Sequence, residues 1–172
     1  MVKENRIVES TLKKYKEKYI SYFSKYNKHL LDKCGSPIEE MYVATLSYIG
    51  ELSNLELDIK NQYEVGVDGK KYKVDFYVTA NQQYTIENND GTFVQSREVS
   101  LCIECDGHDF HEKTKEQVKR DKQRERNLAK RGFKVIRFTG SEIYQDTQKC
   151  VAETLRILES LINKESFRID EL

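Results

Sequence analysis

The chain has 172 residues, 38% of them hydrophobic and 34% charged, with 29 Lys+Arg set against 29 Asp+Glu. That is the length of one ordinary domain with a core, and no apolar run approaches the ~20 residues of a membrane span. The opening MVKENRIVESTLKK holds no apolar stretch of signal-peptide type, so a cytoplasmic location is the default expectation.

The charge is unevenly spread. Residues 1–33 carry nine basic and four acidic groups, residues 36–110 five and fourteen, and residues 111–137 eleven and four. An acidic middle between basic flanks suits a metal and a polyanion. Solvated helix faces are the ordinary alternative.

Residues 3–33 read as a basic helix, with Leu12, Tyr15, Tyr19, Tyr22, Phe23, Tyr26 and Leu30 at steps of three and four. The expected layout is this helix, over 1–35, packed on a domain spanning 36–165. Ser36-Pro37-Ile38-Glu39 opens the next helix, with Ser as N-cap, Pro in the first turn and Glu closing a capping box. Residues 60–67 and 70–79 alternate around Asp68-Gly69, a hairpin signal. Residues 80–97 are polar and read as a loop or small hairpin turning at 88–91. Residues 98–106 form a strand, 112–131 a highly charged helix, 133–138 a short strand, and Ser141 caps a last helix to about 163. A hairpin followed by strand–helix–strand predicts an α/β fold, a mixed sheet of about four strands with helices on both faces.

The cysteines are Cys34, Cys102, Cys105 and Cys150. Cys102 and Cys105 point to opposite faces of a strand, so reduced, buried thiols are expected rather than a shared metal.

Four features are candidates to carry chemistry. Asp75 sits mid-strand, where alternation sets Val74, Phe76 and Val78 on one face and Lys73, Asp75 and Tyr77 on the other. A carboxylate there is costly unless it is paired, hydrogen-bonded or bound to a metal. Glu104 and Asp106, two apart, share a face of the next strand. If that strand pairs with the Asp75 strand, three carboxylates converge as hard oxygen donors suited to Mg²⁺ or Mn²⁺. The alternative is a polar face covered by the basic helix through salt bridges. His108 and His111 follow across Gly107, close enough in sequence to serve as a proton carrier. Glu39 is explained by its capping box, yet a helix start beside the sheet would also aim it, or Glu40, at the site.

Ser36-Pro37-Ile38-Glu39, Val74-Asp75-Phe76 and Ile103-Glu104-Cys105-Asp106-Gly107-His108-Asp109-Phe110-His111 together resemble the PD-(D/E)XK nuclease superfamily, which has the restriction-endonuclease-like fold. The resemblance extends to the very short patch repair (Vsr) branch through Arg120-Asp121-x-x-Arg124, Leu128 and Gly132-Phe133-Lys134-Val135-Ile136-Arg137-Phe138, and covers residues 36 to about 143. It implies a Mg²⁺-dependent DNA endonuclease, with Mn²⁺ as substitute. Asp75, Glu104 and Asp106 would hold the metal, and Asp75, Glu39 and His111 would carry the catalysis. Lys113, Lys115, Lys119, Arg120 and Arg124 would grip the phosphate backbone. The superfamily lysine two residues after the glutamate is Asp106 here, a reversed charge. A homodimer or a DNA-targeting partner would add grip that a nearly neutral chain lacks. The alternative function is a catalytically inactive nucleic-acid-binding or protein-interaction module on the same fold.

Overall fold

The computed structural model describes residues 27–88, 91–107 and 114–167. The elements run α1 (Lys28–Leu31), α2 (Pro37–Glu51), β1 (Glu56–Val67), β2 (Lys70–Asn88), β3 (Gly91–Asp106), α3 (Lys115–Lys130), β4 (Val135–Thr139) and α4 (Gly140–Phe167). Most of the expected N-terminal helix lies outside the described residues. Its described end is one short helix that closes at Asp32.

The sheet order is β1-β2-β3-β4, with the first two pairings antiparallel and β3–β4 parallel. The β1–β2 turn has positive φ at both Asp68 and Gly69, the backbone of a tight hairpin whose twist matches its strands. The sheet is therefore mixed, as the sequence predicts. The hairpin of β2 and β3 is far longer than expected. Of the two expected alternatives the hairpin is the one formed, and residues 80–88 and 91–97 are strand, paired as far as Asn88–Gly91.

Helices cover both faces. The main core joins Tyr42, Val43 and Leu46 of α2, Phe76, Val78, Leu101 and Ile103 of the sheet, and Ile143, Val151, Leu155, Leu158 and Ile162 of α4. Inside it the Tyr42 hydroxyl and Thr154 Oγ1 share a 2.7 Å hydrogen bond that ties α2 to α4. A smaller core of Val65, Val67, Val74 and Cys102 is closed by Leu128 of α3 on the opposite face. Cys102 and Cys105 fall in different cores, and all four cysteines are free thiols. Among the described residues no helix is long and apolar enough to cross a membrane.

Two local expectations are corrected. The last helix is capped by Thr139, not Ser141. Thr139 Oγ1 accepts from the Glu142 amide at 3.2 Å, and the Glu142 carboxylate accepts from the Thr139 amide at 2.8 Å. That helix also breaks at Asp146, whose carboxylate caps its second segment by accepting from the Lys149 amide.

The second correction concerns alternation. Val74 does not share a core with Phe76 and Val78, because it lies in the smaller core with Cys102. β1 switches in the same place, with Leu57 and Ile59 against the main core but Val65 and Val67 in the smaller one. The hinge of both switches is the Gln62–Asp75 position. Gln62 has φ of 51° in mid-strand, and the regular pairs stop on either side of it, at Asn61–Phe76 and Tyr63–Val74. A left-handed non-glycine residue inside a strand is strained, and such strain needs surrounding structure to hold it.

Candidate functional site

The break in the sheet is where the acidic residues gather. Regular β2–β3 pairing ends at Phe76–Ile103, one residue short of Asp75. Asp75 Oδ2 instead accepts the Cys105 amide at 2.8 Å. The aspartate thus turns into the plane of the sheet and takes a backbone N–H that a neighbouring carbonyl would otherwise hold. Its Oδ1 has no hydrogen bond among the described residues.

Glu39 reaches the same place from the first turn of α2. It is buried, whereas Glu40 faces solvent, so Glu39 is the glutamate that approaches the sheet. Its carboxylate accepts from the Gly35 amide at 2.9 Å, the Ser36 hydroxyl at 3.0 Å and Gln62 Nε2 at 2.8 Å. The strained Gln62 backbone therefore has a consequence, since it delivers an amide donor to Glu39. No sequence signal marks that role, because glutamine in a left-handed conformation has no local signature.

Glu104 and Asp106 share the face of β3 that α3 covers, as alternation predicts, but their surroundings differ. Glu104 is 4% exposed and lies between two guanidinium groups, Arg124 Nη2 at 2.5 Å and Arg137 Nη2 at 2.8 Å. Arg137 stands directly across the β3–β4 register from Glu104. It also meets Glu125 at 3.4 Å and stands 3.9 Å from Asp106. Arg124 additionally donates to the Lys73 carbonyl of β2. It thus turns inward to the sheet, while Lys115, Lys119 and Arg120 are exposed on α3. The sequence singled out Arg124 for phosphate contact, and Arg137 only as part of a strand. Their pairing with Glu104 is non-local and invisible to spacing.

The electrostatics follow from burial. Burial pushes the Asp75 carboxyl above its ordinary range, the Cys105 N–H pulls it back, and the charges of Glu39 and Asp106 push it further up. Glu104 is likewise raised by burial, against the pull of Arg124 and then Arg137. Burial also lifts the thiols of Cys34 and Cys102 to about 11, so neither is a thiolate at neutral pH.

Raised carboxyls hold their proton more tightly in the fold than in the unfolded chain. For Asp75 the contribution to stability is therefore largest in acid, and it is lost as pH rises from about 4 through the raised value. The melting temperature of the wild type should fall relative to that of Asp75→Asn as pH rises through that window. Parallel profiles from acid to neutral pH would show that Asp75 is not strained by its surroundings.

The expected convergence of three carboxylates is not realised as such. Among the described residues no three His, Cys, Asp or Glu side chains gather closely enough to hold a metal ion. Glu104 is drawn to its arginines and Asp75 to the Cys105 amide. Among the described residues, the carboxylate oxygens left to a cation are Asp75 Oδ1 and those of the partly exposed Asp106. Two carboxylates with water and substrate oxygens completing the shell is a common arrangement for Mg²⁺, so this donor set fits that ion. His108, His111 and Lys113 lie outside the described residues.

The family model REase_MTES_1575, a restriction endonuclease-like family, matches residues 48–158. That stretch holds Asp75, Glu104, Asp106, Arg124 and Arg137. No curated protein and no solved structure matches the chain.

Proposed function

The chain belongs to this restriction endonuclease-like family, and from that premise we propose that it is a divalent-cation-dependent DNA endonuclease whose site is built on Asp75, Asp106 and Glu39. The observation that carries the reading is Asp75. A half-buried carboxylate that takes a backbone N–H in place of the strand ladder, has one oxygen without a hydrogen bond among the described residues and is crowded by Glu39 and Asp106 is a costly arrangement, and structure alone gains little from it. The family match supports the broad assignment and not the Vsr branch, so no mismatch-repair role is drawn.

In this reading Asp75 and Asp106 hold Mg²⁺ or Mn²⁺, which when bound supplies Lewis-acid polarisation of a phosphate and activation of water. Glu104 is left as a charge-balanced support, because its carboxylate is already neutralised by Arg124 and Arg137. Glu39, fixed by three donors, holds the wall of the site beside Asp75. His111 is the proposed proton carrier, five residues along the chain from Asp106. Lys115, Lys119 and Arg120 on the exposed side of α3 position the phosphate backbone without reading sequence.

The test is incubation of supercoiled plasmid with the protein in Mg²⁺, Mn²⁺ and EDTA. Nicked or linear product that depends on the cation is the expected result. A second reading, an inactive nucleic-acid-binding module, is favoured by the neutralised Glu104. No product, together with no Mn²⁺ binding by calorimetry, would overturn the nuclease reading in its favour.

A further inference from the structure

The feature least anticipated by the sequence is the outer half of the β2–β3 hairpin. β1 pairs with β2 only as far as Asn81, and β4 pairs with β3 only from Cys102. Beyond those limits residues 82–88 and 91–97 pair with each other alone, from Gln82–Arg97 to Asn88–Gly91. Seven residues per strand make a two-stranded ribbon about 23 Å long that runs past the sheet. At its base Arg97 Nη1 donates to the Ile162 carbonyl of α4 at 3.5 Å, which fixes that face of the ribbon toward α4.

The other face continues the side of β3 that carries Cys102, Glu104 and Asp106, the side covered by α3. By alternation and register it holds Gln83, Thr85, Thr92, Val94 and Ser96, all exposed, with Val94 71% exposed. These are neutral hydrogen-bonding side chains around one wholly apolar side chain, Val94. Glu98 occupies a same-face position just inside the base of the ribbon.

We propose that this ribbon face reads base edges in the major groove of duplex DNA lying along α3, and so sets the sequence preference of the site. The inference rests on the nuclease reading and adds specificity to it. A two-stranded ribbon fits the major groove, where Gln, Thr and Ser pair with base edges and an apolar group meets the thymine methyl. The absence of Lys and Arg from the five exposed positions separates the ribbon from a phosphate grip. Glu98 would repel phosphate, whereas Lys115, Lys119 and Arg120 on the same side of the sheet attract it. Ser96 and Asp106 lie ten residues apart on one strand, about 33 Å, close to one turn of B-DNA. The bases read should therefore lie about one helical turn from the cut.

The test is selection from a randomised duplex pool by the wild type and by the combined variant Gln83→Ala, Thr85→Ala, Thr92→Ala and Ser96→Ala, with binding measured in EDTA at several salt concentrations. The wild type should enrich a short motif. The variant should lose about tenfold in preference for that motif. Its affinity for unselected duplex and its salt slope should remain, because the α3 cations are untouched. Thermal melting checks the fold, and Gln83→Ala alone serves if the combined variant is unstable. A variant that keeps the motif overturns the proposal, as does a wild type that binds duplex with no preference. A dimer that the variant converts to monomer without changing selection makes the ribbon a self-association arm instead. A wild type that binds no duplex at all sinks the nuclease reading, and this inference with it.

Discussion

Glu104→Ala is expected to destabilise the fold by about 3–5 kcal/mol, measured by urea unfolding at neutral pH. The glutamate is 4% exposed and meets Arg124 at 2.5 Å and Arg137 at 2.8 Å. Removing it leaves two guanidinium groups turned inward without their shared counter-charge. It also cuts the connection among three elements, since Arg124 comes from α3, Arg137 from β4 and Glu104 from β3. A loss of that size is a large share of the roughly 5–15 kcal/mol by which domains are stable. Replacing Arg124 by Met in the same chain should recover part of the loss, because Arg137 still meets Glu125 whereas Glu104 is the carboxylate that Arg124 meets among the described residues. An unchanged unfolding midpoint for Glu104→Ala would show that the ion pairs do not hold the fold. Glu104 would then return as a candidate cation ligand beside Asp75 and Asp106.

Much of the scaffold was legible because its signals are local. Asp68-Gly69 specifies its turn through two positive φ values, and Ser36-Pro37 opens α2 where expected. The placement of Glu104 with Asp106, opposite Leu101 and Ile103, follows from period two in a strand that keeps its register. That same rule misplaced Val74, because alternation predicts faces only while the strand is unbroken. The break at Gln62 and Asp75 has no composition to mark it, being a response of the backbone to packing and to the Cys105 and Glu39 partners. The Thr139 cap was signalled by Thr-x-x-Glu, yet Ser141 is as good a cap by residue type and the choice between them depends on where β4 ends. The ribbon is expected only as a loop or small hairpin, because Gln82-Gln83 and the Asn88-Asn89-Asp90-Gly91 cluster weigh toward a loop, although Tyr84, Ile86 and Phe93 alternate with polar neighbours at period two.

The approach of the acidic side chains to one another was more legible than what each of them contacts. Glu39 and Asp106 come close enough to raise the Asp75 carboxyl, and Asp75 and Asp106 close enough to raise that of Glu104. Which of them keeps an open oxygen depends on Arg124 and Arg137, whose sequence distance from Glu104 is 20 and 33 residues. An arginine on a charged helix looks like a solvent-facing group until its tertiary partner is known. The balance of these acids is therefore a tertiary property, in which both guanidinium groups meet Glu104 while Asp75 is held by the Cys105 amide.

Asp75→Asn should lose cleavage by three orders of magnitude or more, on the order of 4 kcal/mol of transition-state stabilisation, while making the fold more stable at neutral pH. The two effects have one origin. Burial, Glu39 and Asp106 all disfavour the Asp75 charge, so a neutral amide of the same shape relieves them. The Asn carbonyl can still accept the Cys105 amide, which keeps the local geometry. What the amide lacks is the negative oxygen that would bind a cation. Calorimetry with Mn²⁺ should accordingly show weakened binding alongside a raised melting temperature. Glu104→Ala is expected to behave in the opposite way, losing stability first and activity as a consequence. A stabilised but inactive Asp75→Asn beside an unstable Glu104→Ala would separate the acid kept for chemistry from the acid kept for the fold. If Asp75→Asn lost stability and activity together, Asp75 would be a structural ladder substitute, and the site would have to be sought elsewhere on the α3 side of the sheet.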